Sequence, residues 1–322
     1  MEFKEIDRKI LTYINHNRNP SISKIAKSLK ISRDQVDYRI KKYISEGFIK
    51  KFITFFNYSA FGYNYFAPMF LKFEKLSQAE IFFKKLEKHK NIISYGRCLA
   101  KYDIYLNTIF KNENEFSEFL SEILSDSGII LSDYVIMKPY VSEFYPLKFI
   151  NLHEAEEMEF LPTLENPIKK FDEKDIKIMK MLDNNGWEKI TNIAHGIKSS
   201  PELVIYKIKR LEKEKVILGS RVHFDFINIG YSPTVLLVNI PHLSDANTNK
   251  LKKFVKQSPR INNFLLSFSK PNCAIQVFHK NENELREEIK KLQELFKDEI
   301  ISVDILPLEE ELKMPEMLPF LK

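Results

Sequence analysis

The chain has little of what usually announces chemistry. Its two cysteines, Cys98 and Cys273, stand far apart with no metal-ligand spacing. They fit a reducing cytoplasm and carry no inferable reaction. Seven histidines are scattered, and none pairs at i, i+3 or i+4. No apolar run approaches the roughly 18 residues that would cross a bilayer. The N-terminus is not a charged stretch followed by an apolar one, as a secretion signal would be. These absences argue against a membrane protein and against a metal or thiol enzyme, and they predict a cytoplasmic location with no cofactor.

What is present fits a globular, multidomain chain. At 322 residues it exceeds one typical domain, so two to four are expected. A hydrophobic content of 44% suffices for real cores. The stretch 21–49 organises the rest. Ile22, Ile25, Ala26 and Leu29 share one helical face. After a break at Lys30-Ile31, Ser32 with Gln35 three residues on makes a capping box, and a second helix starts. Val36, Ile40 and Tyr43 form its buried stripe, and Gly47 stops it. A helix, a sharp turn and a helix with a polar, basic face is the helix-turn-helix pattern. The outward face carries Asp34, Tyr38, Lys41 and Ser45, flanked by Gln35, Arg39 and Lys42. A strand-like run after Gly47 would begin a short wing, with Lys50 and Lys51 near phosphate.

Residues 64–150 change character. Their pattern reads β-α-β-β-α-β, the ferredoxin-like split unit, with the run 128–141 as one last strand. The pattern then restarts. With a shift of 168, Asp7 aligns with Asp175, Ile25-Ala26 with Ile193-Ala194, Ser32 with Ser200, Val36 with Val204 and Ile40-Lys41 with Ile208-Lys209. The fold class is therefore α+β, with two copies of a winged helix-turn-helix followed by a βαββαβ unit. The expected boundaries are 1–63 and 64–150 for the first copy, an acidic linker at 151–170, then 171–231 and 232–322.

Charge follows the same division. Residues 1–63 hold thirteen lysines and arginines against six acids, and 171–221 hold eleven against eight. The remaining segments are balanced or acidic. Excess positive charge on the two helix-turn-helix stretches is the footprint of a nucleic-acid binder. The partner expected is double-stranded DNA, with no membrane. Contact residues would be Ser32, Arg33, Gln35, Tyr38, Arg39, Lys41, Lys42, Lys50 and Lys51 in the first copy. In the second they would be Tyr206, Lys207, Lys209 and Arg210.

Ile6-Asp7-Arg8-Lys9-Ile10-Leu11, Ile25-Ala26, Ile31-Ser32, Val36, Arg39-Ile40-Lys41, Glu46-Gly47-Phe48-Ile49 and Gly62 stand in a pattern that resembles the leucine-responsive regulatory protein/AsnC family of transcription regulators. The resemblance implies sequence-specific DNA binding by paired heads. It also implies a βαββαβ domain that pairs subunits and takes a small effector such as an amino acid. The family's Gly-x-Tyr-Asp element falls at Ala100-Lys101-Tyr102-Asp103, with alanine for glycine. Ala100, Tyr102 and Asp103 are thus either effector contacts or plain strand and turn residues. In the second copy Ser269-Lys270-Pro271-Asn272 lacks the element. Because one chain carries two of each domain, an intramolecular pseudo-dimer is expected, with further oligomers open.

Two other readings remain. The same plan resembles the sirohaem decarboxylases, for which Tyr95, Arg97 and Arg260 would be the candidate residues. A protein–protein adaptor that kept the fold is the third.

Overall fold

A computed structural model of the chain describes residues 3–16, 21–87, 89–125, 128–145, 147–149, 167–296, 302–313 and 315–321. Most of the expected linker, 151–166, lies outside them. The first head is α1 (Glu5–His16), α2 (Ile22–Leu29) and α3 (Arg33–Ser45), followed by strand β1 (Ile49–Phe56). The local signals act as their chemistry dictates. The Ser32 hydroxyl accepts from the Gln35 amide (3.1 Å), and the Gln35 side chain accepts from the Ser32 amide (3.3 Å). Two of the orphan donors at the start of α3 are thereby satisfied. Gly47, at φ +73°, supplies the left-handed turn that ends the helix.

A unit of β2 (Tyr65–Phe73), α4 (Ser77–Leu86), β3 (Ile92–Cys98), β4 (Ile104–Phe110), α5 (Glu113–Leu124) and β5 (Leu131–Ile136) follows. Strand β6 (Pro139–Phe144) comes next. The second head is α6 (Glu173–Asn184), α7 (Ile190–Gly196), α8 (Pro201–Lys213) and β7 (Ile217–Phe224). The order then repeats as β8 (Ser232–Asn239), α9 (Asp245–Gln257), β9 (Ile261–Ser267), β10 (Cys273–His279), α10 (Glu282–Phe296) and β11 (Ser302–Lys313). The architecture is α+β, two winged helix-turn-helix heads each followed by a ferredoxin-like unit.

The two units share a sheet of order β5-β2-β4-β3-β11-β8-β10-β9-β6. The expected single strand over 128–141 differs in the structure. It breaks at Met137-Lys138, and its second part leaves its own unit. β5 pairs with β2, whereas β6 pairs with β9 of the second unit. β11 does the converse: Ser302–Pro307 pairs with β8, and Leu308–Lys313 pairs with β3 of the first unit. A proline stands at each crossover, Pro139 and Pro307. Lacking an amide donor, proline suits a point where a strand changes partner. β5 and β6, the two ends of the order, are consecutive strands joined through Met137-Lys138. Helices α4 and α5 cover one outer face through Phe82, Phe83, Phe116 and Phe119. Helices α9 and α10 cover the other through Leu251, Val255, Leu285 and Leu292. Phe70, Tyr102, Leu237 and Leu306 meet between the two inner faces.

The heads interlock too. β1 and β7 pair antiparallel, from Ile49 opposite Phe224 to Phe56 opposite Ile217. Consequently Ile53 and Phe56 complete the core of the second head, beside Ile178, Leu182 and Leu211. Val222 and Phe224 complete that of the first, beside Ile10, Leu11 and Val36. The ends of the ribbon are bonded alike: the Asn57 amide donates to Val216 and the Asp225 amide to Phe48, at 2.9 and 3.0 Å.

Gly186 seats the second head on this ribbon, its amide donating to the Phe52 carbonyl at 2.7 Å. A Cβ there would lie 2.9 Å from the Ile53 carbonyl carbon and the Phe52 oxygen. Backbone cannot yield as a side chain does, so Gly186→Ala is expected to destabilise by about 1–3 kcal/mol. At Gly196 the Cβ would meet only the flexible Met181 side chain, at 3.0 Å, and Gly196→Ala should cost less. Denaturant midpoints of the two variants check the ranking.

Candidate nucleic-acid interface

The outward faces of α3 and α8 are the surfaces the sequence assigned to DNA. Arg33, Tyr38 and Lys41 are exposed on α3, and Tyr206, Lys209 and Lys213 on α8. Tyr38 and Tyr206 occupy equivalent positions and are 67% and 63% exposed. Such exposure of a large aromatic ring in both copies leaves each free to meet a partner surface rather than a core. Lys41 forms an i, i+4 pair with Asp37 (2.6 Å), and Lys42 reaches Glu46 at 3.8 Å. Exposed pairs of this kind are worth little and exchange readily for a phosphate. Ser32 and Gln35 are exposed at the N-terminus of α3, where their side chains cap the helix.

Several expected contacts are drawn elsewhere. Arg39 pairs with the buried Asp7 of α1. Its counterpart Lys207 is itself buried, donating to Asp175 at 2.9 Å and to Asp172 at 2.5 Å. Arg210 reaches the other oxygen of Asp175 at 2.5 Å. The bond from Lys207, its first cause, holds the Asp172 carboxyl below its usual range. The physical reason is steric register. Arg39 lies three residues after Val36 and four before Tyr43, and Lys207 stands the same way between Val204 and Leu211. Both therefore border the buried stripe. Their partner in each head is an aspartate on the first helix, whose charge would otherwise be buried alone. Asp7 and Asp175, which align in the two copies, were the sequence signal for this clamp.

The strand-like run after Gly47 is β1, which pairs with β7 of the second head. Lys50 pairs with Asp225 at 3.4 Å, and the Lys51 ammonium donates to the Pro315 carbonyl at 3.1 Å. Both are committed to contacts within the chain.

The Ala100–Asp103 element is a tight turn between β3 and β4. Ala100 takes φ +78°, the conformation glycine would hold more cheaply. Tyr102 is buried near Phe70, with ring centres 6.2 Å apart. Asp103 accepts from the Lys72 ammonium and the Phe73 amide, both at 2.8 Å. Both side chains are engaged in holding the turn. Tyr95, Arg97 and Arg260 lie on the helix-covered side. Tyr95 stacks on Phe83 at 5.4 Å, Arg97 pairs with Glu80, and Arg260 pairs with Glu284, Glu287 and Glu288.

A feature sequence reasoning missed is a cavity of ≈ 260 Å³ between the β1–β7 ribbon and the inner face of the sheet. Apolar residues such as Phe55, Phe70, Phe144 and Phe264 line it, with Arg221, His223, Tyr105 and Glu311 among the polar groups. His223 and Glu311 meet at 2.6 Å. These groups come from strands far apart in the chain, so no local motif could reveal them. Among the described residues no cluster of three potential metal ligands exists. No described helix is long and apolar enough to cross a membrane.

Removing the Lys207 ammonium takes one cation from a buried carboxylate, so Lys207→Met should destabilise by on the order of 3 kcal/mol. Lys41→Ala, on the exposed face, should stay within about 0.5 kcal/mol of the parent. Chemical denaturation of both variants separates the clamp from the surface.

Comparison with known proteins agrees with the first head. Residues 3–50 match the winged helix-turn-helix DNA-binding family model. An uncharacterised HTH-type transcriptional regulator of Pyrococcus horikoshii is 28% identical over 148 residues, 46% of this chain and 99% of its own. The HTH-type transcriptional regulator FL11 of Pyrococcus furiosus is 28% identical over 125 residues, 39% of this chain and 82% of its own. The crystal structure of the siroheme decarboxylase NirDL with an iron-uroporphyrin III analogue superimposes with a TM-score of 0.64. That match covers 98% of this chain and 94% of NirDL. At 11% identity the likeness concerns fold alone. The chain thus carries a winged helix-turn-helix DNA-binding segment at residues 3–50 and is similar, over just under half its length, to HTH-type transcriptional regulators of Pyrococcus.

Proposed function

We propose that the chain is a sequence-specific transcription regulator whose two heads, locked together within one chain, bind double-stranded DNA as a pseudo-dimer. The observation that carries this reading is the pair of exposed recognition faces, α3 and α8, on heads held by one ribbon. In this reading Arg33, Tyr38 and Lys41 meet base edges or phosphate from the first head, and Tyr206 and Lys209 from the second. Lys42 and the capping pair Ser32 and Gln35 stand at the margin. The units divide near residues 63, 150 and 231. The first head carries the greater positive charge, and Glu202 in the first turn of α8 repels phosphate. The preferred site is accordingly an imperfect palindrome with a stronger half under α3. An effector at Tyr102 and Asp103 is disfavoured, since both hold the turn.

A second reading, a tetrapyrrole decarboxylase, draws on the fold shared with NirDL along nearly the whole chain. Tyr95, Arg97 and Arg260 do not support it, because each is bound against the outer helices. A Soret-like band in the purified protein would favour that reading over the first.

Two measurements test the proposal. In electrophoretic retardation across a salt series, replacing Arg33 and Lys41 with Ala should weaken binding. It should also reduce the log–log salt slope by about 0.9 for each phosphate that is no longer neutralised. An unchanged slope counts against phosphate binding there. Expressed alone, 1–150 lacks the β11 partner of β3, the β9 partner of β6 and the β7 closure of its head. It should self-associate or aggregate in sedimentation, while the full chain stays compact. A stable monomeric fragment would sink the pseudo-dimer.

A further inference from the structure

The cavity under the ribbon is built around one cation. Arg221 projects from β7 with its guanidinium 5.5 Å above the Phe55 ring. Its Nη1 donates to the Tyr145 carbonyl at 3.0 Å, and its Nη2 has no hydrogen-bond partner among the described residues. Among the described residues no acid pairs with it, and burial lowers it to about 10. Glu311, the carboxylate in the cavity wall, is already held by His223 at 2.6 Å. Two further buried atoms in the wall lack partners, the Ser142 hydroxyl and the Asn262 side-chain carbonyl. Asn262 lies close by, since its backbone carbonyl accepts from the Tyr145 amide. Native proteins seldom leave buried polar atoms unpaired, and a buried cation least of all. Three such atoms lining one predominantly apolar cavity mark a ligand site.

We propose that this cavity binds a small, mostly apolar monocarboxylate carrying one N–H or O–H donor, its carboxylate on Arg221 and its donor on Asn262. The aromatic walls take the apolar body, and the volume of ≈ 260 Å³ keeps that body small. An α-amino acid fits less well, because its ammonium would need an anion and Glu311 is engaged. The site is distinct from the Ala100–Asp103 turn, which borders β11 through the bond from the Leu99 amide to Pro307. Binding does not depend on the DNA-reading role, so either can fail alone.

The test uses the full chain and isothermal calorimetry with indole-3-acetate, 3-phenylpropionate and octanoate. Indole-3-acetamide and L-tryptophan serve as controls. Saturable binding of indole-3-acetate is expected, tighter than 3-phenylpropionate, which lacks the donor, and at least tenfold tighter than either control. Arg221→Gln should weaken it at least tenfold. Ser142→Leu, which fills part of the cavity without removing a hydrogen bond, should abolish binding while the protein still melts cooperatively. Should Arg221→Gln not fold, the Ser142 variant and the two controls still decide. Equal binding of the amide or of tryptophan, unchanged binding in Ser142→Leu, or no binding of any of the three acids overturns the proposal. So does a tetrapyrrole co-purifying with the protein.

Discussion

The pairing of β1 with β7 is the contact on which the rest of the molecule depends. Each strand begins in its own head and ends in the core of the other. A trihelical head buries too little apolar surface to be robust alone, because small units leave much of their surface exposed. Here each head borrows aliphatic and aromatic side chains from its twin, so neither core is complete without the other. The same logic recurs below, where β6 and β11 leave their own units to pair with β9 and β3. Two exchanges at different levels tie the copies more firmly than a flat contact between finished domains would. An ordinary interface can open without unfolding either side; this one cannot.

That arrangement fixes what the heads can do. Recognition helices on separate subunits can adjust their spacing through a hinge. Helices α3 and α8 are instead held by a ribbon whose ends are bonded symmetrically, Asn57 to Val216 and Asp225 to Phe48. Inside each head the aspartate of the first helix, Asp7 or Asp175, pins the recognition helix through Arg39 or Lys207. These charges stabilise only in place, since a lone buried carboxylate is costly. They trade exposed positive charge for rigidity, which is why the exposed basic face is narrower than the composition of 1–63 suggests.

The sequence carried the local part of this design in full. Helical spacing, the Ser32–Gln35 capping box and the stop at Gly47 are decided within a few residues, and the structure follows them. The repeat at a shift of 168 showed that two such units exist, and the β-α-β-β-α-β order was readable from alternating patterns. Which strand pairs with which was not readable. Antiparallel partners are chosen by distant packing, and an apolar strand such as β6 suits its own sheet or its neighbour's equally well. The site fared similarly. Tyr38 and Lys41 point outward as a helical wheel requires. Arg39 and Lys207 sit one step round the wheel, where charge type suggests surface but spacing from Val36 and Val204 suggests the core. Spacing prevailed because an aspartate waited on the first helix. Arg221 and His223 escaped notice because they belong to a presumed wing.

The two copies are not equal, and their differences line up with their positions. In the first head one arginine holds Asp7; in the second, Lys207 and Arg210 both converge on Asp175. The second head therefore withdraws two cations from the exposed face of α8 and carries Glu202 in that helix's first turn. The ribbon strands diverge likewise. The strand of the second head carries Arg221 and His223 toward the cavity, and the register sets Ile53 and Lys51 opposite them. A symmetric homodimer would present such a site twice or not at all. Both ribbon strands line the cavity, β1 with Ile53 and Phe55 and β7 with Arg221 and His223, so the polar groups that the ribbon lends it come from the second strand alone.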